Sequence, residues 1–432
     1  SPLLIGVGET ETLVASDASA ILSYTDKVVY LNDGELAVCT PGNFELMDLA
    51  SQSVSAKIET IEMDLQTIQK DGYDHFFLKE AMEQPESIKG TLGGRVLKDK
   101  NMIRLGGLNM TDKQLRSVEH IFVVACGTAS YAGQLAGYYF EELMDDVVVH
   151  NVIASEMRYR AFNVPDNSIA IFVSQSGETA DTRACLKEMK QRGVRCLGVI
   201  NAVGSTIARE VDGGVYLHAG TEISVASTKA FTSQVSALLL IALVMAQTKG
   251  LSPEILSEYV EDFDNLSSEL EKTLHDKNDE IKVLAEQYKD YNHALYMGRG
   301  ALFPLALEGA LKLKEISYIH AEGQAAGELK HGSIALVDDS FFEVAFVDND
   351  WLFEKSISNI VEVQARGGHV IVVTNSKKEI EAERLIIVDT KLKHLTPLVY
   401  NIVSQLFAYY TAVARGNDVD QPRNLAKSVT VE

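Results

Sequence analysis

Cysteine is scarce in this chain. There are four, Cys39, Cys126, Cys185 and Cys196, in 432 residues, and no two stand as C-x-x-C. That argues against a zinc knuckle or a disulfide scaffold and fits reduced thiols in a cytoplasmic protein. Positive charge is also short. Lys and Arg number 39 against 61 Asp and Glu, a formal net charge of −22. So acidic a chain is a poor partner for nucleic-acid phosphates, although one local pocket can still be positive. No long apolar run is present. The longest, Ala237 to Ala246, is too short to cross a bilayer and suits a buried helix, so no membrane partner is expected. No signal peptide is visible, and the chain opens on Ser1-Pro2-Leu3 without Met, which reads as a processed product or a fragment of something longer. GxGxxG and GxxxxGK[ST] are absent, which disfavours a dinucleotide or a P-loop.

What is present is a globular composition, 46% hydrophobic and 23% charged, in a chain long enough for two or three domains. From His120 onward, short apolar strands alternate with helices, and the pattern restarts at His293. Strands without polar alternation predict an α/β fold of parallel sheets covered by helices on both faces. The domain reading is 1–50, 51–74 as a linker helix region, 75–250, 251–280 as a helical connection, 281–418, and a tail, 419–432. In the first segment, Lys27 to Leu31, Asn32 to Glu35 and Leu36 to Val38 read as a hairpin. Ile58, Ile61, Leu65 and Ile68 have helical spacing. Gln84-Pro85 interrupts a second helical stretch that begins near Tyr73.

The most informative motif is Ser174-Gln175-Ser176-Gly177-Glu178-Thr179, directly after the apolar run Ile169 to Val173. A hydroxyl-rich turn between a strand and a helix offers O–H and N–H donors to one small anion. Cys126-Gly127-Thr128-Ala129-Ser130 stands in the same place after Ile121 to Ala125. Two such turns at the carboxyl ends of parallel strands suit a phosphate held by Thr128, Ser174, Ser176 and Thr179, with the Gln175 amide in support. Ordinary helix capping is the competing reading. Val225 and Ala226 precede a long helix that Ser227 is placed to cap, and their backbone can face a sugar; the role of the nearby acidic Glu222 is open, a solvated turn residue being the bland reading.

Glu308, Lys312 and Glu315 share one helix face at i, i+4 and i+7. A surface ion pair and a proton shuttle at Glu315 both fit that spacing. His331 lies in an expected exposed turn, where it can move protons near neutral pH or be an ordinary surface histidine. His320-Ala321-Glu322-Gly323 is not HExxH and has no third ligand at a recognisable spacing, so no metal is expected. The tail from Asp418 reads as frayed, or as folded over a pocket with Lys427 as an amine nucleophile.

These motifs together resemble the glutamine–fructose-6-phosphate aminotransferase (isomerizing) family, the glucosamine-6-phosphate synthases. The resemblance runs in order through Cys126–Thr128, Ser174–Thr179, Ala226–Thr232, Glu308–Glu322, Gly327–Gly332 and Pro422–Glu432. It covers roughly residues 70–432. It implies two tandem sugar-isomerase (SIS) domains and a homodimer in the cytoplasm. It also implies a preceding remnant of an Ntn-type glutaminase domain, residues 1–50, and hence no glutamine hydrolysis by this chain alone.

The implied reaction turns fructose 6-phosphate into glucosamine 6-phosphate, or glucose 6-phosphate where isomerisation alone occurs. The nitrogen is ammonia from the glutaminase domain, and no cofactor takes part. The resemblance implies phosphate binding by Thr128, Ser174, Gln175, Ser176 and Thr179, and sugar contacts by Val225 and Ala226. Lys427 would form a Schiff base with C2. Glu315 would move a proton between C1 and C2 with Lys312 assisting, and His331 from the neighbouring subunit would assist ring opening. One departure is Ala129, where many relatives carry a second hydroxyl; Ser130 is placed to replace it. A non-catalytic sugar-phosphate module of the same fold and a simple phosphosugar isomerase are the alternatives.

Overall fold

A computed structural model describes residues 3–15, 20–21, 24–32, 34–60 and 69–430. The chain forms two compact units, one within Ser1–Tyr73 and Val429–Glu432, the other Asp74–Ser428.

In the first unit, strands β1 (Leu4–Val7), β2 (Thr12–Ala15), β3 (Lys27–Tyr30) and β6 (Glu59–Thr60) form an antiparallel sheet in the order β2-β1-β3-β6. Strands β4 (Glu35–Thr40) and β5 (Asn43–Asp48) pair separately. The expected hairpin between 27–31 and 36–38 does not form. The Asn32–Glu35 turn exists, closed by Glu35 N–H donating to Asn32 O at 3.1 Å, but it delivers the chain to a different partner. The actual hairpin turns at Pro41-Gly42, where Gly42 takes φ +71° as a tight reversal requires. The helix expected across Ile58 to Ile68 is not borne out at its start, since Ile58 is exposed and leads into β6. Ile61, Leu65 and Ile68 lie outside the described residues.

The second unit opens with helices α1 (Phe76–Met82) and α2 (Gln84–Leu92), divided where Pro85 stands at the start of α2. Short strands β7 (Val96–Leu97) and β8 (Met102–Ile103) and helix α3 (Asp112–Arg116) follow. Then come β9 (His120–Ala125), α4 (Gly127–Leu143), β10 (Val148–Ile153), α5 (Ala154–Met157), β11 (Ser168–Ser174), α6 (Ala180–Gln191), β12 (Arg195–Ile200), α7 (Thr206–Glu210), β13 (Gly213–Tyr216) and α8 (Lys229–Lys249). Helix α9 (Pro253–Tyr288) leads to β14 (His293–Gly298), α10 (Leu302–Ser317), β15 (His320–Ala325), β16 (Phe341–Val347), α11 (Phe353–Gln364), β17 (His369–Thr374), β18 (Arg384–Ile387) and α12 (Thr396–Ala414).

Both five-stranded sheets are parallel throughout and share one plan, β10-β9-β11-β12-β13 and β15-β14-β16-β17-β18. The order reverses between β9 and β11, and again between β14 and β16; such switch points open crevices at the carboxyl ends of strands. Strand β15 was not visible as an apolar run. It is an edge strand, with His320 and Glu322 exposed and Ala321 buried, so it shows no continuous hydrophobic signal.

Alternate residues of the strands serve different cores. Ile121, Val123 and Ala125 of β9 join Ala294 and Tyr296 of β14 in one large shared core, while Phe122 and Val124 face a smaller outer one. The shared core makes the two domains a single packed body. Helix α8 is apolar on all sides because it runs through that core. It is longer than the ten-residue run suggests, and by length and composition it would span a membrane, but 89% of its apolar window is buried inside the protein. Helix α9 instead buries one stripe, Leu256, Tyr259, Val260, Phe263, Leu266 and Leu270, at helical spacing. Its Asp262 accepts backbone N–H bonds from Lys393, His394 and Leu395 (3.0, 2.7 and 3.1 Å), which pins the start of α12.

Glu343, on the central strand β16, is fully buried, and both its carboxylate oxygens lack a hydrogen-bond partner among the described residues. Burial alone pushes its carboxyl up to about 8. The folded-state value lies above the unfolded one, so the carboxyl's relative contribution to stability falls as pH rises from about 4.5 through about 8. Glu343→Met should therefore raise the melting temperature. An unpaired buried polar group costs about 1–3 kcal/mol. The gain over the parent in thermal melts should be larger at about pH 8 than at about pH 5.

Candidate active site

The two hydroxyl-bearing turns occupy the first domain's switch point. Strands β9 and β11 are direct neighbours, with Phe172 level with Val124, so the turns that leave them lie side by side. Neither turn is spent on ordinary capping. The helices they open, α4 and α6, carry no side-chain cap at Cys126 or Thr179. Instead Ser174 Oγ accepts the Gly177 N–H at 2.9 Å and meets Thr179 Oγ1 at 3.2 Å. Ser176 Oγ accepts the Glu178 N–H at 3.2 Å. Gly177 takes φ +66°, and an added Cβ would stand 2.0 Å from Ser205 Oγ, so the turn needs glycine there. Gln175 is partly exposed on the same turn. Ser130 is not drawn into this group: its hydroxyl accepts a long 3.4 Å contact from Gln134 Nε2, one helical turn on.

Thr128 faces the second domain. Its Oγ1 accepts from Lys312 Nζ at 3.1 Å and donates to Glu308 Oε1 at 3.3 Å. Lys312 also reaches Glu315 Oε2 at 2.6 Å. The surface ion pair that the spacing allowed is not what forms, because Glu308 and Lys312 are both 0% exposed. Burial works against the Lys312 ammonium, but the two carboxylates outweigh it and hold the lysine above its ordinary range. Burial pushes Glu308 up to about 7, with Lys312 pulling the other way. Glu315 alone of the three keeps partial access to solvent, with 21% of its side chain exposed. Helix α10 thus presents one reachable carboxylate backed by a buried cation.

The C-terminal tail is folded in. Lys427 Nζ donates to Glu222 Oε2 at 2.6 Å, and Ser428 Oγ meets Ser176 Oγ at 3.1 Å. Glu222 is buried, which excludes the bland reading of a solvated turn residue. Its carboxylate also accepts from Ser227 Oγ (2.9 Å), Thr228 N–H (2.8 Å) and Ala230 N–H (3.2 Å). Helix α8 starts at Lys229 after Thr228, so Ser227 is not its cap; Glu222 meets the helix's first amides instead. Burial pushes the Glu222 carboxyl up, but Lys427 and the N–H donors overcome this and hold it down to about 2. Ala226 is buried, and the Val225 N–H is taken by Asp420 O at 3.1 Å. His331 is exposed at the end of the 3-10 turn Ala326–His331, and among the described residues no hydrogen bond joins it to this cluster.

The arrangement therefore holds two groups: a hydroxyl-lined turn joined to a tail that carries a tethered primary amine, and a carboxylate backed by a buried lysine that also reaches Thr128. Comparison with known proteins identifies its relatives. A family model described as the SIS domain matches residues 114–244 and 287–415. The glutamine–fructose-6-phosphate aminotransferase [isomerizing] of Caldanaerobacter subterraneus is 44% identical over all of this chain and 71% of its own length. The chain belongs to the glutamine–fructose-6-phosphate aminotransferase (isomerizing) family.

The enzyme of that name from Chlorobaculum tepidum is 43% identical over all of this chain and 70% of its own length. The solved C-terminal domain of glucosamine-fructose-6-phosphate aminotransferase from Francisella tularensis covers 82% of this chain and is itself covered completely, with a TM-score of 0.78 and 40% identity. The two SIS domains described above are the isomerase half of such an enzyme.

Of the residues singled out in the sequence, the structure joins Thr128 to Lys312 and Lys312 to Glu315, and joins the 174–179 turn to the tail through Ser176 and Ser428, next to Lys427. Sequence reasoning missed Glu222, whose setting between Thr221 and Ile223 carries no periodic signal. The structure makes a checkable demand of that residue. The carboxyl is held below its unfolded value, so its contribution is present above about pH 4.5 and is lost as pH falls toward about 2. Glu222→Gln should loosen the tail at neutral pH by at least about 1.4 kcal/mol, about tenfold. Limited trypsin digestion at Arg423 and Lys427 should accelerate accordingly; an unchanged cleavage rate would show that the ion pair does not hold the tail.

Proposed function

We propose that the Asp74–Ser428 unit binds open-chain fructose 6-phosphate and converts it, with ammonia, to glucosamine 6-phosphate. The observation that carries this reading is the pairing of Lys427 with Glu222 beside the hydroxyl-rich turn. A simple aldose–ketose isomerase requires a base but not a tethered amine.

The phosphate is assigned to Thr128, Ser174, Gln175, Ser176 and Thr179, with the uncapped amides of α4 and α6 in support. Ser130, turned to Gln134, is the weakest member of that set. Anchoring the phosphate positions C1 and C2 from a distance. Lys427, once neutral, attacks the C2 carbonyl; water leaves and a Schiff base forms. Ammonia then adds to C2 and displaces the lysine. Glu315 takes a proton from C1 and delivers it to C2, while the C1 hydroxyl proton passes to the C2 nitrogen, which leaves an aldehyde at C1 and an amine at C2. Lys312, fixed by Glu308 and Thr128, orients that carboxylate. Without ammonia, the same proton transfer gives glucose 6-phosphate.

Val225 and Ala226 are assigned to sugar contacts through their backbone, with the Val225 carbonyl as the available group because its N–H is engaged. His331 is assigned to ring opening from a neighbouring subunit of a homodimer, a role its exposure favours. The relatives' name supplies glutamine as the nitrogen source, and the cytoplasm is the compartment we assign. Residues 1–50 we assign to the end of the glutaminase domain and 51–74 to the linker.

The test is product analysis with fructose 6-phosphate, with and without ammonium. The expected products are glucose 6-phosphate alone and glucosamine 6-phosphate with ammonium. Glu315→Gln should lower both by about 100-fold or more, the scale of a lost general base. Absence of either product from the parent chain would contradict the assignment.

A further inference from the structure

A second carboxyl stands behind the Glu222–Lys427 pair, and the proposed reaction does not use it. Glu80 lies on α1 and is 2% exposed. Its Oε1 accepts the backbone N–H of Ile223 and of Ser224, the two residues that follow Glu222. Its Oε2 is buried without a hydrogen-bond partner among the described residues. The start of the same helix grips the tail. The Asp420 carboxylate accepts the N–H groups of Phe76 and Phe77, both at 2.9 Å, and Asp420 O accepts the Val225 N–H. One seven-residue helix therefore holds both the turn that carries Glu222 and the tail that carries Lys427.

We propose that Glu80 is a positioning residue for Lys427, fixing the Glu222 turn from behind through Ile223 and Ser224. The inference rests on the assignment of Lys427 as the nucleophile. It makes the 76–82 helix, well before the SIS segments in sequence, a working part of the site.

Electrostatics give the residue a second effect. Glu222 and Lys427 are the charged groups that act on Glu80. The other nearby charges are committed elsewhere: Lys79 of its own helix and Lys229 of α8 both pair with Glu83, at 3.6 and 2.6 Å. Burial, and then the Glu222 carboxylate, push Glu80 up to about 8, against the pull of Lys427 and the two backbone donors. Below that pH the carboxyl is neutral, and Lys427 faces one negative charge. Above it, a second negative charge appears behind the pair. That favours an ammonium, which has no lone pair to give a carbonyl.

The test compares the parent chain with Glu80→Gln and Glu80→Leu, measuring kcat and KM for fructose 6-phosphate isomerisation from about pH 6 to about pH 9.5. The Gln side chain can still accept the two N–H bonds but cannot ionise. Glu80→Gln should keep near-parental kcat at neutral pH and exceed the parent increasingly above about pH 8, where an ionised Glu80 would hold more of Lys427 as ammonium. Glu80→Leu should lose about tenfold to a hundredfold in kcat from a displaced amine. Its KM should stay within about twofold, because the phosphate donors are untouched. If the Leu variant does not fold, as judged by circular dichroism, the Gln pH profile decides alone. Parental kcat in folded Glu80→Leu, or an unchanged alkaline limb in Glu80→Gln, overturns this inference and leaves the proposed function standing. No turnover by the parent chain overturns both.

Discussion

The ion pair between Lys427 and the buried Glu222 is the contact on which the site's geometry turns. Beyond Val419, which packs into the large core, and the buried Pro422, the tail has little apolar surface with which to dock. It docks because an acid already buried at the mouth of α8 needs a cation, and because Asp420 and Ser428 find partners on either side. The cost of burying Glu222 is offset by four donors besides the lysine, two of them backbone amides at the start of a helix. The pair thereby couples the tail's position to the folding of the first domain's longest core helix.

Around that contact the two domains divide the work. The first supplies hydroxyls, at the start of two helices without side-chain caps, at its switch point. The second supplies a carboxylate whose orientation is set by a buried lysine. The shared core makes this division workable, since strands from both sheets send alternate side chains into it and little relative motion is left between the domains. The second domain repeats the topology of the first without repeating its hydroxyl-rich turn: Gly298-Arg299-Gly300 follows β14, and Arg299 is occupied with Asn359. One strand order thus carries a hydroxyl-rich turn in one copy and an arginine held by an asparagine in the other.

The fold was largely legible in the sequence, for a physical reason. Strands buried on both faces are mostly apolar, so β9, β11, β12, β14, β16 and β17 stand out directly, even with Glu343 inside β16. Where burial is one-sided or the strand is an edge, as in β15, that signal vanishes. The 27–38 region misled because a turn motif shows that the chain reverses, not which strand it meets next. At the site, Ser174, Ser176, Thr128 and Lys312 were readable because their chemistry clusters at loop or helix spacing. Glu222, Glu308 and Glu80 were not readable in their true setting. Each is a carboxyl whose meaning comes from burial against a distant partner, and sequence spacing gives no view of a contact between residues about 200 positions apart, such as Glu222 and Lys427.

The most direct measurement is borohydride trapping of the chain with fructose 6-phosphate, followed by peptide mass spectrometry. The account predicts a reduced sugar-phosphate adduct on the peptide containing Lys427, absent from Lys427→Arg and suppressed by inorganic phosphate, which competes for the hydroxyl-rich turn. An adduct on another lysine, or none under conditions where product forms, would contradict it.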